Sequence, residues 1–308
     1  MPNPFEVELL TTQYTTRIEL LLQQKVSKLR GLVTSDAYVG KVASPVQQIG
    51  PMEFKATGAR YSAINFQFPN YTRRWVSPVD KDCGTLKDEF DQLKTIVNPN
   101  AAITEAVVAG ANRYFDDLII GAAFATATIG VDSSAFANET WPATTFLVAD
   151  TFDSASSSGM TYGKIVEGRR ILEHYQNDLD AEAVCLVVGS QQNSDMLKQV
   201  EVIDKDFNDK PVVEEGRVRM ILGCNVVTSE RLLTSSSNTL SNTIMFVRSG
   251  MHLGIWRDMS IKIDQRIDLT SHPWQLYAMV SAGATRLQLG KVIQINCADT
   301  SGADPTAP

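Results

Sequence analysis

The chain has 308 residues, and its 28 Lys and Arg against 35 Asp and Glu give a net charge of −7 at pH 7. Charges of both signs are spread along the whole length, which argues against a protein whose main task is to neutralise phosphates. Hydrophobic residues make up 44% of the chain and charged residues 20%, and this ordinary globular usage excludes a disordered, collagen-like or disulfide-scaffold protein. At roughly 100 to 200 residues per domain, the length indicates two domains, or one large domain with extensions.

The sequence predicts a protein that is made in the cytosol and does not span a membrane. The longest uncharged stretch near the middle, residues 118–131, is shorter than the roughly 20 apolar residues of a membrane-spanning helix. Glu6 and Glu8 stand where a secretory signal needs basic residues followed by an apolar run. The four cysteines lie far apart without a C-x-x-C pair, so we expect buried, reduced thiols rather than a zinc site or a disulfide framework.

The first predicted element is an amphipathic helix over residues 5–31, in which apolar residues recur at intervals of three or four. A long two-stranded excursion follows. Within it, residues 61–68 alternate as a half-buried strand should, and this places Ile64, Phe66 and Phe68 on one apolar face. A lone hairpin is only marginally stable in water, so this face is predicted to lie on another surface.

A long helix dominates the middle of the chain. A short helix is predicted over residues 85–96, and Asn98 as N-cap with Pro99 at the first helical position then opens a helix that runs to about Thr126. Residues 127–158 are predicted to form short strands and loops. The apolar stripe predicted for the long helix consists of Ile103, Val107, Ala111, Tyr114, Leu118 and Ala122.

The second half of the chain alternates between helices and strands and then becomes nearly all strand after residue 244. The alternating part contains predicted helices over 162–175 and 191–200 and predicted strands over 183–188, 218–222 and 225–228. No repeat of fixed period is present. Together with the long helix, this order predicts an α+β fold.

No catalytic motif is found in the sequence. Its three histidines, His174, His252 and His272, lie outside any serine or cysteine hydrolase signature. Four residues match the first, third, fifth and twelfth positions of a calcium-binding loop, but Asp209 replaces the glycine that the turn needs. They are Asp204, Asp206, Asn208 and Glu215. We predict a solvated acidic surface loop at 204–215. For the function of the protein, one alternative is a hydrolase or metal-dependent enzyme with its site in residues 159–245.

Several segments together resemble one family of structural proteins. They are RWVSPVDKD at 74–82 before a short acidic helix, the long helix with ANRYFD at 111–116, LGCNVVTS at 222–229 after Glu215-Gly-Arg, and GATRL at 283–287 followed by KVIQINC at 291–297. None is a catalytic motif, but their order and spacing resemble the major capsid proteins of tailed bacteriophages with the Hong Kong 97-type fold. The resemblance covers nearly the whole chain.

The resemblance implies four regions: an N-terminal arm at 1–36, an extended E-loop at 37–80, a P-domain at 81–158 and 246–308, and an A-domain at 159–245. It implies hexamers and pentamers that form through A-domain contacts. It also implies that the E-loop face of Ile64, Phe66 and Phe68 lies between subunits. No catalytic residue, cofactor or metal ligand is expected.

The same resemblance implies the partners and the location. The chain would bind further copies of itself, with scaffolding and portal proteins and in some shells cement proteins as partners. It would assemble in the bacterial host cytoplasm into the virion capsid, and it would enclose double-stranded DNA without sequence-specific binding. A phage tail-tube or connector protein is the structural alternative, although the long capped helix and the helix-rich 159–245 segment argue against an all-strand tube.

Overall fold

The computed structural model describes residues 22–56, 58, 61, 66–87, 100–130, 136–199, 213–214, 217–232, 240–270 and 272–299. Their contacts divide the chain into two compact units. Unit 1 contains the described residues of 22–26, 81–113 and 259–280, and unit 2 contains those of 27–80, 114–258 and 281–299. Both helices and sheets are present, which confirms the α+β fold class.

The strands of the described residues are β1 (Thr34–Ala37), β2 (Ala43–Ile49), β3 (Tyr71–Val76), β4 (Val79–Lys87), β5 (Ala127–Gly130), β6 (Ala137–Glu139), β7 (Leu147–Val148), β8 (Val184–Val188), β9 (Val213–Glu214), β10 (Arg217–Val218), β11 (Met220–Ile221), β12 (Cys224–Thr228), β13 (Leu240–Val247), β14 (Met251–Gln265), β15 (Trp274–Arg286) and β16 (Val292–Ala298). The α-helices are α1 (Asn100–Phe124), α2 (Tyr162–His174) and α3 (Ser190–Met196). Short 3-10 turns lie at Arg30–Leu32, Arg248–Gly250 and Leu289–Lys291.

The main core of unit 2 surrounds a six-stranded sheet with the order β11-β12-β8-β13-β16-β7. All five residues of β8 are buried, as expected for a continuous apolar run covered on both faces. Helix α2 begins at the N-cap Thr161, whose hydroxyl accepts a hydrogen bond from the Lys164 amide at 3.3 Å, and it buries Ile165 and Leu172 in the core. The predicted helices and strands of this region are confirmed with two differences: α3 ends at Met196 and not at residue 200, and the strand predicted over 218–222 is divided into β10 and β11, which lie in different sheets.

Two four-stranded sheets, with the orders β2-β3-β5-β6 and β1-β14-β15-β4, and a two-stranded sheet of β9 and β10 complete the described architecture. In the first, β2 pairs with β3 in antiparallel register, from Ile49 opposite Tyr71 to Ala43 opposite Val76. In the second, β1 runs parallel to β14, with Thr34 opposite His252. The predicted run of strands after residue 244 is confirmed by β14, β15 and β16.

The long predicted helix is confirmed as α1, but its predicted stripe is wrong. Phe115, Ile119 and Ala123 are buried, whereas the predicted Tyr114 and Leu118 are only half-buried. Because apolar residues occupy most positions of the last two turns, their spacing does not mark one face, and packing selects the neighbouring one.

Three further sequence predictions fail within the described residues. Residues 22–29 form bends and irregular backbone rather than the end of the predicted helix over 5–31, and residues 5–21 lie outside the described part. Residues 85–87 belong to β4, so no helix begins there, and 88–96 also lie outside it. Residues 66–68 have irregular backbone instead of forming a strand, and Phe66 and Phe68 are exposed, because the ladder of β2 and β3 ends at Tyr71.

Candidate assembly surfaces

The hairpin formed by β2 and β3 in unit 2 carries a loop over residues 50–70, and the described part of this loop exposes several large apolar side chains. Phe66 is 79% exposed and Phe68 is 91% exposed. Ile64, the third member of the predicted face, lies outside the described residues. Further exposed apolar side chains of this loop, which sequence reasoning did not select, are Met52, Phe54 and Tyr61. Such a group of exposed large apolar side chains on one loop is typical of a contact with another molecule.

Hydrogen bonds hold the two sides of this loop together beyond the strands. The Gly50 amide donates to the Asn70 carbonyl at 2.7 Å. Further out, the Gln67 side-chain amide donates to the Glu53 carbonyl at 2.6 Å and accepts from the Glu53 amide at 3.2 Å. The Gln67 side chain thus makes the two hydrogen bonds with the Glu53 backbone that a residue of a paired strand would make. The exposed aromatic residues therefore belong to a hairpin whose two sides are hydrogen-bonded beyond the strands, and we call it the braced loop.

An apolar groove of about 350 Å³ lies within unit 1. Its walls come from β4, from the first turns of α1, and from the adjoining parts of β14 and β15. The apolar lining residues Ile263 and Trp274 are exposed to solvent at its mouth. The described lining consists of Thr85, Lys87, Ile103, Thr104, Ile263, Trp274 and Leu276. This groove offers a concave apolar surface that no sequence motif marks.

The segment that precedes β1 is fixed in unit 2 by the buried carboxylate of Asp116 on α1. That carboxylate accepts hydrogen bonds from the Ser27 hydroxyl at 2.6 Å, from the Lys28 amide at 3.0 Å and from the Leu29 amide at 3.1 Å. Leu29 itself is fully buried. These bonds replace the intrahelical bonds that the predicted helix would have made, which explains why the amphipathic pattern does not continue as a helix there.

Within unit 1, residues 22–26 follow the first half of α1. Lys25 forms an ion pair with Glu105 at 2.6 Å, and the Asn112 side chain donates to the Lys25 carbonyl at 2.8 Å. Arg113 donates to the Gln23 side chain at 2.7 Å. Leu22 is fully exposed. The chain therefore leaves this anchored stretch toward its N-terminus at an exposed position.

His252 serves strand pairing rather than catalysis. The Thr34 hydroxyl donates its proton to the Met251 carbonyl at 2.8 Å, so its oxygen accepts from Nδ1 of His252 at 3.1 Å. Nε2 of His252 lies 3.0 Å from the Tyr38 hydroxyl and accepts from it when the ring is neutral, and the same hydroxyl lies 3.5 Å from the Asp36 carboxylate. Burial lowers the pKa of His252, which favours this neutral ring. His252 on β14 thus forms hydrogen bonds with Thr34 on β1 and with Tyr38, which directly follows β1.

The other candidate chemical groups do not form a site among the described residues. Three thiols are buried as predicted, and burial raises the pKa of Cys185 and Cys224 to about 11 and that of Cys297 to about 12, so they are unreactive. Cys83 on β4 is exposed, so this part of the cysteine prediction is wrong. His272 lies between β14 and β15, in the left-handed backbone region with φ of 43°.

The acidic loop at 204–215 lies outside the described residues apart from the backbone of β9. Within the part of the chain that the structure describes, no three His, Cys, Asp or Glu side chains come together as a metal site would require. Among the same residues, no helix has the length and apolar character needed to cross a membrane.

Solved structures with the same fold define the class of protein. The chain matches the capsid of cyanophage P-SCSP1u with a TM-score of 0.72 and 12% identity, covering 95% of this chain and 94% of that chain. It matches the cyanophage Pam1 capsid asymmetric unit with a TM-score of 0.70 and 8% identity, covering 94% and 97%. For Mycobacterium phage Che8 the TM-score is 0.65 at 12% identity, covering 93% and 96%. The fold is that of the Hong Kong 97-type phage capsid proteins.

Sequence comparison identifies the family. The chain belongs to the phage capsid protein family, whose model matches residues 8–299. No curated protein matches the sequence significantly. Family and fold together define a structural protein of the virion capsid that associates with copies of itself, and they indicate a structural rather than a catalytic role.

Proposed function

We propose that this protein is the major capsid protein of a tailed phage and assembles into hexamers and pentamers that close an icosahedral shell around double-stranded DNA. The observation that carries the proposal is the braced loop 50–70, whose Phe66 and Phe68 side chains are almost fully exposed. Apolar side chains presented in this way at every copy favour burial against neighbouring copies. A contact between two different surfaces of identical chains closes into rings when the rotation permits.

The apolar groove of unit 1 is the complementary surface that we propose for this loop in a neighbouring subunit. Both surfaces are apolar, and each repeats once per chain, so every subunit would offer one loop and receive another. In the four regions that the resemblance implies, the E-loop at 37–80 would lie over the P-domain of a neighbouring subunit, at 81–158 and 246–308. The A-domain at 159–245 would contact the A-domains of the other subunits in the ring. The arm at 1–36 would reach a neighbouring subunit. Weak contacts repeated over a closed lattice produce a stable shell.

The remaining parts of the proposal concern partners and location. The net charge of −7 suits an inner wall that does not bind DNA through many phosphate contacts, since such contacts would hinder packing and release. We propose assembly in the host cytoplasm with scaffolding and portal proteins as partners, and with cement proteins where the shell carries them. No cofactor or metal is part of this function.

The test separates assembly from folding by two substitutions. Phe66→Asp changes an exposed residue and should leave the unfolding midpoint of the subunit nearly unchanged, since surface substitutions usually alter stability by about 0.5 kcal/mol or less. The same change should abolish shell formation in a sedimentation assay, because it places a desolvated charge at every copy of the contact. Ile120→Asp, at a buried position of α1, should unfold the subunit itself.

Phe66→Leu is the matched control, since it keeps an apolar side chain at the same position and should retain assembly. If Phe66→Asp lowers the midpoint as much as Ile120→Asp, residue 66 belongs to an ordinary core and the loop proposal is wrong. If Phe66→Asp forms normal shells, this loop face is not an intersubunit contact.

A further inference from the structure

Two arginines are buried in unit 2 with fewer acceptors than they have N–H groups. Arg286 on β15 is 1% exposed and Arg74 on β3 is 7% exposed. Arg286 donates from Nη1 to the carbonyls of Ala123 at 2.7 Å and of Ala125 at 3.0 Å, at the end of α1. Arg74 donates from Nη1 to the carboxylate of Glu139 on β6. These contacts account for only part of the two guanidinium groups.

Four buried donors in this neighbourhood have no acceptor among the described residues. They are Nε and Nη2 of Arg286, Nε of Arg74 and the indole Nε1 of Trp141. A buried donor without a partner is costly, and most of all on a charged group. In folded proteins such groups usually mark a water molecule or an ion.

Strand register places these groups in one region of unit 2. Arg74 lies opposite Ile129 of β5, and Glu139 lies opposite Ala127. Positions 127 and 129 of β5 point to the same face of the sheet, so the side chains of Arg74 and Glu139 share that face. Arg286 donates to the carbonyl of Ala125, which lies two residues before β5. Its guanidinium also lies 4.9 Å from the ring centroid of Trp141, and Trp141 follows Glu139 by two residues.

The electrostatics of Arg286 agree with this placement. Burial lowers the pKa of Arg286 to about 10, while the neighbouring Glu139 raises it and Arg74 lowers it further. Two guanidinium groups and one carboxylate leave one positive charge in the cluster. A buried charge of this kind needs a counter-charge to be stable.

We propose that unit 2 binds a small inorganic monoanion, such as chloride, between the free edge of Arg286 and the unpaired N–H groups of Arg74 and Trp141. Nε and Nη2 form the edge of the guanidinium that matches an anionic acceptor. An anion can accept several N–H donors at once, whereas a water molecule would add two donors to a region that already has too many. The end carbonyls of α1 oppose an anion through the helix dipole, but Arg286 Nη1 already neutralises two of them.

The anion would join four elements of unit 2: the end of α1, β3, β6 and the end of β15. Its enclosure favours a halide over a phosphate, because the orphan atoms have almost no solvent exposure. This inference does not depend on the proposed assembly, since all its residues lie within one unit of one chain.

The experiment measures the thermal unfolding midpoint of the full-length subunit while chloride replaces gluconate at constant ionic strength, with gluconate chosen as an anion too large for the site. For a site that is filled a hundredfold above its dissociation constant, the midpoint should rise by about 5 °C. Arg286→Met should abolish this chloride dependence. Arg231→Met is the matched control, because Arg231 forms an exposed pair with Asp117 at 2.5 Å in the same unit, and it should retain the dependence.

Glu139→Gln provides an independent variant if Arg286→Met does not fold. Removal of the carboxylate raises the local charge from one to two, so the midpoint should respond at a lower chloride concentration than in the wild type. A crystal grown in bromide should show an anomalous peak within hydrogen-bonding distance of Arg286 Nε. Equal chloride responses of the wild type and Arg286→Met, no shift in the Glu139→Gln response, or density for water without an anomalous bromide peak would each overturn the proposal.

Discussion

Replacing Asp116 by Asn tests how the N-terminal segment is anchored, because the substitution preserves the shape of the side chain and removes its charge. In the structure, Oδ1 of Asp116 accepts from the Ser27 hydroxyl and the Leu29 amide, and Oδ2 accepts from the Lys28 amide. An asparagine can keep its oxygen at the first position. Its NH₂ group then faces the Lys28 amide, so that one donor meets another.

The magnitude follows from these contacts. One buried amide without an acceptor costs about 1–3 kcal/mol, and the two remaining bonds lose the extra strength of a charged acceptor, which is about 1 kcal/mol in total. We therefore expect Asp116→Asn to lower the free energy of unfolding by about 2–4 kcal/mol. This is a large part of the roughly 5–15 kcal/mol that stabilises a typical domain.

Asp117→Asn is the matched control, one residue further along α1. Asp117 pairs with Arg231 at 2.5 Å, and both side chains are substantially exposed, so its loss should cost only about 0.2–1 kcal/mol. The assay is denaturant unfolding of the subunit together with hydrogen exchange. In Asp116→Asn the Lys28 and Leu29 amides should exchange faster while β8 and β13 remain protected. Equal destabilisation by the two substitutions, or unchanged exchange at Lys28 and Leu29, would refute this account of the anchor.

Three further predictions concern buried and acidic groups. Burial lowers the pKa of His252 below 6.5 in the folded subunit, so the unfolded chain binds this proton more readily, and the free energy of unfolding should fall as the pH drops below about 6.5. In His252→Gln the free energy of unfolding should depend less steeply on pH. An identical slope would contradict a neutral, buried His252. Lys164→Met should lower the free energy of unfolding by about 1–3 kcal/mol in denaturant unfolding, because Nζ donates to the Ser158 and Gly159 carbonyls at 2.8 Å and the methionine would leave these acceptors without a donor. An unchanged free energy of unfolding would contradict this role of Lys164. Millimolar calcium should not shift the melting temperature; a rise of several degrees that Asp204→Ala abolishes would establish an ion site at 204–215.

The sequence predicted the elements that its local pattern specifies strongly. In the alternation around β14 to β16, the apolar run of β8 and the long helical pattern of α1, neighbouring residues all favour the same structure, and tertiary contacts do not override it. The predicted N-cap Asn98 and the first helical residue Pro99 lie outside the described residues. The choice of face on α1 was wrong because its last two turns are apolar nearly all round. The end of the predicted N-terminal helix was wrong because Asp116, far away in sequence, supplies acceptors for the Lys28 and Leu29 amides.

The assembly surfaces were predictable only in part. Alternating aromatic residues in a turn-rich segment selected Phe66 and Phe68, and their exposure agrees with a contact surface, although their role between subunits stays a prediction. The groove of unit 1 could not be predicted, because its lining comes from four elements that are distant in the chain. Arg286 is the only charged residue of β15, which is a weak sequence indication of a special role. Its unpaired donors become evident only in the structure, where Arg74 and Trp141 also have unpaired N–H groups in the same region.

Electron microscopy of the full-length protein, purified alone and after co-expression with a scaffolding protein, tests the central claim most directly. The account predicts closed, round shells with capsomers of five and six subunits, and the loss of these shells in Phe66→Asp. Long tubes of stacked rings would instead support a tail-tube protein. A protein that remains monomeric under every condition of salt, concentration and scaffold would contradict the claim that this chain builds a capsid.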